Sequence, residues 1–232
     1  MTGRVHSFQS LGTLDGPGVR FVVFAQGCPL RCSCCHNPDT WEVKGGTEYT
    51  PQEILQKVVR YREYFGKEGG ITFSGGEPLL QPDFVTETFA LCQGEGIHTC
   101  LDTSGFALSD AIKKALAVTD RVLLDIKYTD SALYEQHVGC AYEKVLDFLS
   151  YLNERNIPTT LRQVIIPGLN DTVENVQTIA ALRKAHPCVD GVELLPFKKI
   201  CRVKYDQMGI AFPFADVPTP TKEQMTDLNQ YV

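Results

Sequence analysis

From residue 20 onward, short apolar or β-branched runs alternate with stretches of helical spacing, and neither a repeat nor a Ser/Pro/Gly-rich linker interrupts them. Strands are expected at 20–26 (RFVVFAQ), 71–73, 98–101, 121–126, 159–166 and 191–195. Helices are expected at 51–65, opened by Thr50 as N-cap with Pro51 in the first turn, and at 84–92, closed by Gly94 and Gly96. Further helices are expected at 109–118, at 133–156 with a break at Gly139, at 173–185 and from about Lys222. Residues 27–49, rich in Cys, Gly and turn formers, are expected to be loop. Connections this long exclude hairpins between successive strands, so a parallel α/β sheet with right-handed crossovers follows. A doubly wound sheet and a partial (β/α) barrel both satisfy the pattern. In either, chemistry gathers at the carboxyl ends of the strands. The unusual residues fall there: Cys28 after the first strand, Gly75, Gly76 and Glu77 after the second, Asp102 and Thr103 after the third, Asp125 and Lys127 at the fourth.

Charge and hydropathy narrow the function classes. Lys plus Arg number 22 against 28 Asp plus Glu, a formal net charge of −6, so no global field draws the chain to nucleic acid or anionic membrane. Mean hydropathy is −0.12, no apolar run reaches the 18 or so residues of a membrane span, and the first residues lack the apolar core of a signal peptide. A cytoplasmic protein is expected. Its nine cysteines, at 28, 32, 34, 35, 92, 100, 140, 188 and 201, are odd in number and crowded at one end. In a reducing compartment such clustered thiols bind metal or do redox chemistry. Cys92, Cys100 and Cys140 fall on expected helices or a strand and are expected to act as small buried hydrophobes. Cys188 and Cys201 have no expected place.

Cys28, Cys32 and Cys35 form a Cys-x3-Cys-x2-Cys group. Three thiolates on a short loop can hold three irons of a [4Fe–4S] cluster and leave the fourth without a protein ligand. The alternatives are a structural zinc knuckle, with His36 or Cys34 as fourth ligand, and a redox dithiol at Cys32 and Cys35. No HExxH, Walker loop or dinucleotide glycine fingerprint is present.

Together with Gly75-Gly-Glu-Pro, this group resembles the radical S-adenosylmethionine enzymes. Asp15-Gly-Pro-Gly-Val-Arg-Phe, Cys35-His-Asn-Pro-Asp-Thr-Trp, Gly96-Ile-His-Thr-Cys-Leu-Asp-Thr-Ser-Gly, Leu124-Asp-Ile-Lys and Glu193-Leu-Leu-Pro bring it closest to the activating enzymes of glycyl-radical enzymes. The absence of a cysteine-rich insert between the cluster motif and Gly75 favours the branch that acts on pyruvate formate-lyase. The resemblance implies a single-domain, partial (β/α)6 barrel over residues 1–232, with a cluster loop at 27–49 and a C-terminal segment, 200–232, packed on the barrel. It implies reductive cleavage of S-adenosylmethionine at a [4Fe–4S] cluster on Cys28, Cys32 and Cys35, and removal of a glycine hydrogen from the partner. It further implies that Gly75, Gly76 and Glu77 meet the methionyl amine, and that Asp102, Thr103 and Asp125 hold a monovalent cation beside the methionyl carboxylate. Lys127 pairs with Asp125 or reaches the ligand, Arg162 and Val164 line the nucleoside pocket, His36 meets adenine, and Asp15 touches the partner's peptide. A low-potential electron donor such as flavodoxin is expected with this chemistry.

Two positions depart from the family pattern. Cys34 stands where relatives carry an aromatic residue, and Lys198 stands where they carry a histidine that meets S-adenosylmethionine; both touch the expected nucleoside pocket. The basic run 198–204 is either a solvated face or a contact for an acidic partner. Activation of a different glycyl-radical enzyme, and a non-catalytic iron–sulfur or zinc protein on the same fold, are the remaining alternatives.

Overall fold

A computed structural model describes residues 1–232. Its eight strands are β1 (Gly3–Gly12), β2 (Arg20–Ala25), β3 (Thr47–Tyr49), β4 (Gly70–Gly75), β5 (His98–Thr103), β6 (Arg121–Asp125), β7 (Thr159–Ile165) and β8 (Val189–Pro196). They are hydrogen-bonded in the order β3-β1-β2-β4-β5-β6-β7-β8, which has two ends and therefore no closing pair. All six expected strands form. β2 pairs with β4, β4 with β5 and β7 with β8 in parallel, as long crossovers demand.

The helices are α1 (Pro51–Val58), α2 (Arg62–Phe65), α3 (Pro82–Gly94), α4 (Asp110–Leu116), α5 (Ser131–Val138), α6 (Tyr142–Glu154), α7 (Val173–Ala185), α8 (Arg202–Met208) and α9 (Lys222–Asn229). Their starts follow capping chemistry. Thr50 and Glu53 form a reciprocal capping box at α1, with Pro51 at the first position. Ser109, Asp130 and Thr172 cap α4, α5 and α7 through their side chains, and Thr221 and Gln224 repeat the box at α9. Gly139, left-handed at φ +85°, ends α5 and divides the 133–156 stretch as expected.

Four elements depart from expectation, one of them α8, where no helix is expected. β1 is a strand the sequence hides, because Gly-Arg-Val-His-Ser-Phe-Gln-Ser-Leu-Gly has no clean alternation; it pairs antiparallel with β2 through two register shifts. The 27–49 loop contains the short β3, paired antiparallel with β1. The 51–65 helix is broken by a 3-10 turn at Val59–Tyr61.

The chain forms two compact units. The first comprises Met1–Pro29, Thr40–Thr103 and Ala107–Leu123. In it Phe73 of β4 meets Phe84 and Phe89 of α3 at ring separations of 5.7 and 5.4 Å, so alternate residues Thr72 and Ser74 face the other side of the sheet. The second comprises Leu30–Asp39, Ser104–Phe106 and Leu124–Val232. There Ile165, Val176, Leu194, Met225 and Leu228 form one buried cluster, which joins α9 to α7, β7 and β8. Side chains of this size each contribute about 1.5–3 kcal/mol on burial.

Candidate functional site

In the first unit the candidate residues lie at strand ends. β2 runs into Gly27 and Cys28, whose amides donate to Thr40 O (2.7 Å) and Trp41 O (3.5 Å). The turn after β4 continues the pairing with this segment: Gly76 N donates to Ala25 O at 3.0 Å and Glu77 N to Gly27 O at 2.9 Å. A Cβ on Gly76 would stand 2.3 Å from the Gly27 carbonyl oxygen. Close backbone approach is thus required here by the neighbouring chain itself. Glu77 is 1% exposed. One of its carboxylate oxygens accepts from Leu79 N (3.1 Å) and from the Thr103 hydroxyl (2.7 Å). Asp102 accepts from the Ser74 hydroxyl at 2.7 Å. Asp15 lies on the same face of β4, where its carbonyl accepts from the Thr72 hydroxyl at 2.7 Å.

The second unit carries the rest of the cysteine loop. Cys35 N donates to Cys32 O at 3.0 Å, closing a turn. Arg31 N and Ser33 N donate to Val138 O (3.3 Å) and His137 O (2.8 Å), at the end of α5. From α8, the Tyr205 hydroxyl donates to Cys35 O at 3.3 Å, and the Lys204 ammonium donates to Asn37 and Asp39 at 2.9 and 3.0 Å. Burial pushes the Cys34 thiol up to about 11, against the pull of Lys127. Cys34 is therefore a protonated, apolar filling of the loop and a poor metal ligand.

His36 donates from Nε2 to Lys198 O at 3.1 Å. Burial holds this imidazole below its ordinary pKa, so it is neutral with Nδ1 free of a proton. Lys198 thus meets His36 through its backbone, while its side chain is exposed. Lys127 pairs with Asp125 at 2.5 Å. Burial alone would pull this ammonium down, but Asp125 beside it wins, and its pKa lies well above the usual lysine value. Arg162 pairs through Nε with Glu193 Oε2 at 3.3 Å, consistent with their direct register across β7 and β8. Val164 lies two residues on, on the same face, and is half-buried.

Several working residues escaped the sequence. Arg20 is fully buried, although the rule that singled out Arg162, that a buried guanidinium needs partners, applies equally to it. Ser74, Tyr205 and Glu193 are ordinary residue types with no spacing signal. Cys140 is not helical: it sits half-buried in the break between α5 and α6, because Gly139 ends the helix before it. Cys188 and Cys201 are buried free thiols.

Cys28, Cys32 and Cys35 form no disulfide and each is partly accessible. No three His, Cys, Asp or Glu side chains converge on the shell of a single metal ion; cysteines of a cubane each take a different iron and have no such common centre. The Tyr128 hydroxyl is buried with no hydrogen-bond partner. Its ring packs on His137 at 5.6 Å, and His137 Nδ1 is 3.2 Å from the Ser33 hydroxyl. Burial, and then Cys34 and Cys32, raise the phenol's pKa, so it remains a donor. A protonated, unpartnered donor beside a cysteine loop fits a group that brings sulfur acceptors.

The comparisons with known proteins agree with this chemistry. The model of the radical SAM superfamily matches residues 22–182. The chain is 42% identical to a pyruvate formate-lyase-activating enzyme of Clostridium pasteurianum, over 99% of this chain and 97% of that one. It is 41% identical to the pyruvate formate-lyase 1-activating enzyme of Escherichia coli K12, over 96% and 92%. Among solved structures, a domain of a pyruvate-formate lyase-activating enzyme from Bacteroides vulgatus matches at 26% identity and a TM-score of 0.59, covering 70% of this chain and 92% of that one. Streptococcus suis SuiB bound to its precursor peptide shares the fold at a TM-score of 0.71, with 14% identity, 90% of this chain and 44% of that one. No helix is long and apolar enough to cross a membrane. The chain belongs to the radical SAM superfamily, in the family of the pyruvate formate-lyase-activating enzymes.

Proposed function

We propose that this protein activates pyruvate formate-lyase: it cleaves S-adenosylmethionine reductively and removes one hydrogen from the α-carbon of a glycine in that enzyme, leaving a glycyl radical. The observation that carries this reading is 37–42% identity to activating enzymes over nearly the whole chain. Glu77 and Asp102, at neighbouring strand ends of the first unit, support it. Held by Cys28, Cys32 and Cys35, a [4Fe–4S] cluster would supply the one-electron reduction that cleaves S-adenosylmethionine to methionine and a 5′-deoxyadenosyl radical.

The chain's own residues do the rest. Cys28, Cys32 and Cys35 hold the cluster as thiolates, and Cys34, protonated, stays out of its coordination. The strand edge at Gly75 and Gly76 receives the methionyl amine; Glu77 stiffens that edge from beneath. In the first unit, Asp102 and Thr103 offer oxygens to a monovalent cation that offsets the methionyl carboxylate; in the second, Asp125 offers a carboxylate of the same kind. Thr103 gives its proton to Glu77, which leaves oxygen lone pairs for the cation. Lys127 stays charged beside Asp125 and adds a second positive group. Arg162, steadied by Glu193, and Val164 line the nucleoside pocket, and neutral His36 offers Nδ1 as an acceptor to the adenine amino group. Lys198 contributes its carbonyl, which orients His36, and Asp15 contacts the partner's peptide. A low-potential donor such as flavodoxin supplies the electron, and the work is done in the cytoplasm under low oxygen.

The test is anaerobic. The reconstituted, reduced protein is given S-adenosylmethionine and 5′-deoxyadenosine is measured, with Cys35→Ala as control. Product from the parent and none from the variant supports the reading. Absence of product from a parent carrying about four irons per chain overturns it.

A further inference from the structure

The first unit contains a buried guanidinium that strand pairing alone does not explain. Arg20 opens β2 and is fully buried. Its Nε donates to the Thr72 hydroxyl at 2.9 Å. Its other donors reach Pro17 O (3.4 Å), Glu68 O (3.0 Å), His98 Nδ1 (3.2 Å), His98 O (3.2 Å) and Ile71 O. Thr72 passes the connection on, its hydroxyl donating to Asp15 O at 2.7 Å. One guanidinium and one hydroxyl therefore fix the carbonyls of Asp15 and Pro17 at once.

The loop so fixed has little freedom of its own. Gly16 and Gly18 are both left-handed, at φ +123° and +65°. A Cβ at Gly18 would fall 2.5 Å from Gly69 N, and one at Gly16 would fall 3.0 Å from Cys100 Sγ. Glycine adopts both conformations without strain, so the packing around positions 16 and 18 is what holds this loop in place. The loop also lies beside strand-end residues. Thr72 and Ser74 share a face of β4, and Ser74 donates to Asp102 at the end of β5. The Asp15 loop and the Asp102 carboxylate thus meet β4 at positions two residues apart on one face, about 7 Å along the strand.

We propose that Thr72 and Arg20 are positioning residues that hold the Asp15–Gly18 loop in the conformation that receives the partner's glycine-bearing peptide. This rests on the proposed function, and it goes beyond it by assigning peptide recognition to a buried network rather than to Asp15 alone. The chemistry recognised is an extended peptide with a glycine at its centre. Preorganising the loop lowers the ordering cost of binding, so the effect falls on peptide affinity and not on cleavage of S-adenosylmethionine.

The experiment compares the parent protein with Thr72→Val, which keeps shape and removes the hydroxyl, and with Thr72→Ser, which restores it. Four quantities are measured: 5′-deoxyadenosine formed without peptide, KM and kcat for a peptide carrying the glycine loop, and amide exchange over residues 13–19. Thr72→Val is expected to raise the peptide KM about tenfold, the effect of losing the buried hydrogen bond to Asp15 O. Peptide-free cleavage and kcat stay within about twofold, and Thr72→Ser recovers the parent KM. Faster exchange is confined to 13–19. An unchanged KM in Thr72→Val overturns the proposal, and so does a parallel loss of peptide-free cleavage, which marks a purely structural role. If Thr72→Val fails to fold, Arg20→Lys is measured in its place, with the same outcomes expected and the same ones contradicting. If the parent cleaves S-adenosylmethionine but turns over no glycine peptide, the proposed function falls. Localised exchange in Thr72→Val would then separate that failure from failure of the loop network.

Discussion

The Thr103 hydroxyl donates to the buried Glu77 carboxylate at 2.7 Å, joining the end of β5 to the turn after β4. The same oxygen takes the Leu79 amide. Glu77→Ala removes the acceptor of both bonds, and is expected to cost about 2–4 kcal/mol in urea unfolding. Glu77→Gln keeps an acceptor oxygen and is expected to cost less than half as much. Equal losses in the two variants would contradict the role given to this carboxylate.

Gly76 and Gly94 provide a matched pair. A methyl at Gly76 meets the Gly27 carbonyl at 2.3 Å, whereas one at Gly94, the last residue of α3, meets nothing within 4 Å. Gly76→Ala is expected to lower stability by about 1–3 kcal/mol. Gly94→Ala is expected to leave it unchanged or raise it by about 0.5 kcal/mol. Thermal unfolding of both variants reads the difference directly.

Cys34 is the departure from the family pattern with the sharpest chemical consequence. A thiol raised to about 11 is almost wholly protonated at pH 8 and reacts slowly with iodoacetamide. In the iron-free protein, Cys28, Cys32 and Cys35 are expected to be alkylated well before Cys34, as peptide mass mapping would show. Cys34→Ala is expected to keep the parent's iron content, while Cys32→Ala loses most of it. Rapid labelling of Cys34, or loss of iron in Cys34→Ala, would make it a ligand after all.

Much of this was legible in the sequence. The six strands β2, β4, β5, β6, β7 and β8 stand out because apolar runs bounded by turn residues are strong local signals, and Thr50, Ser109 and Gly139 mark helix limits through capping chemistry. β1 was hidden because its polar residues carry no period, and it is held by pairing with β2. The site divides the same way. Cys28, Glu77, Asp102 and Asp125 are conspicuous by type and spacing. Ser74, Tyr205 and Glu193 gain their roles only from register and tertiary contact, as with Glu193 lying opposite Arg162. The sequence marks Lys198 by its side chain, yet Lys198 meets His36 through its carbonyl, a contact that any residue type could make.

Burial holds His36, His98 and His137 below the usual imidazole pKa, with Arg20 adding to the effect at His98. Their ordinary value in the unfolded chain is about 6.5. The unfolded chain therefore takes up protons first, so stability is full above about pH 6.5 and falls as pH drops from there toward the lower folded values. Urea midpoints between pH 8 and 5.5 are expected to decline on the acid side. His98→Asn keeps an acceptor for Arg20 and cannot be protonated, so its decline should be shallower; an identical slope would remove His98 from the account.

The central claim is tested most directly by electron paramagnetic resonance. The reconstituted protein is incubated anaerobically with pyruvate formate-lyase, S-adenosylmethionine and a chemical reductant, and the spectrum of the partner is recorded. The account predicts a glycyl-radical doublet on pyruvate formate-lyase, formed with one 5′-deoxyadenosine per radical and absent with Cys35→Ala. Cleavage of S-adenosylmethionine without any radical on that partner would contradict it.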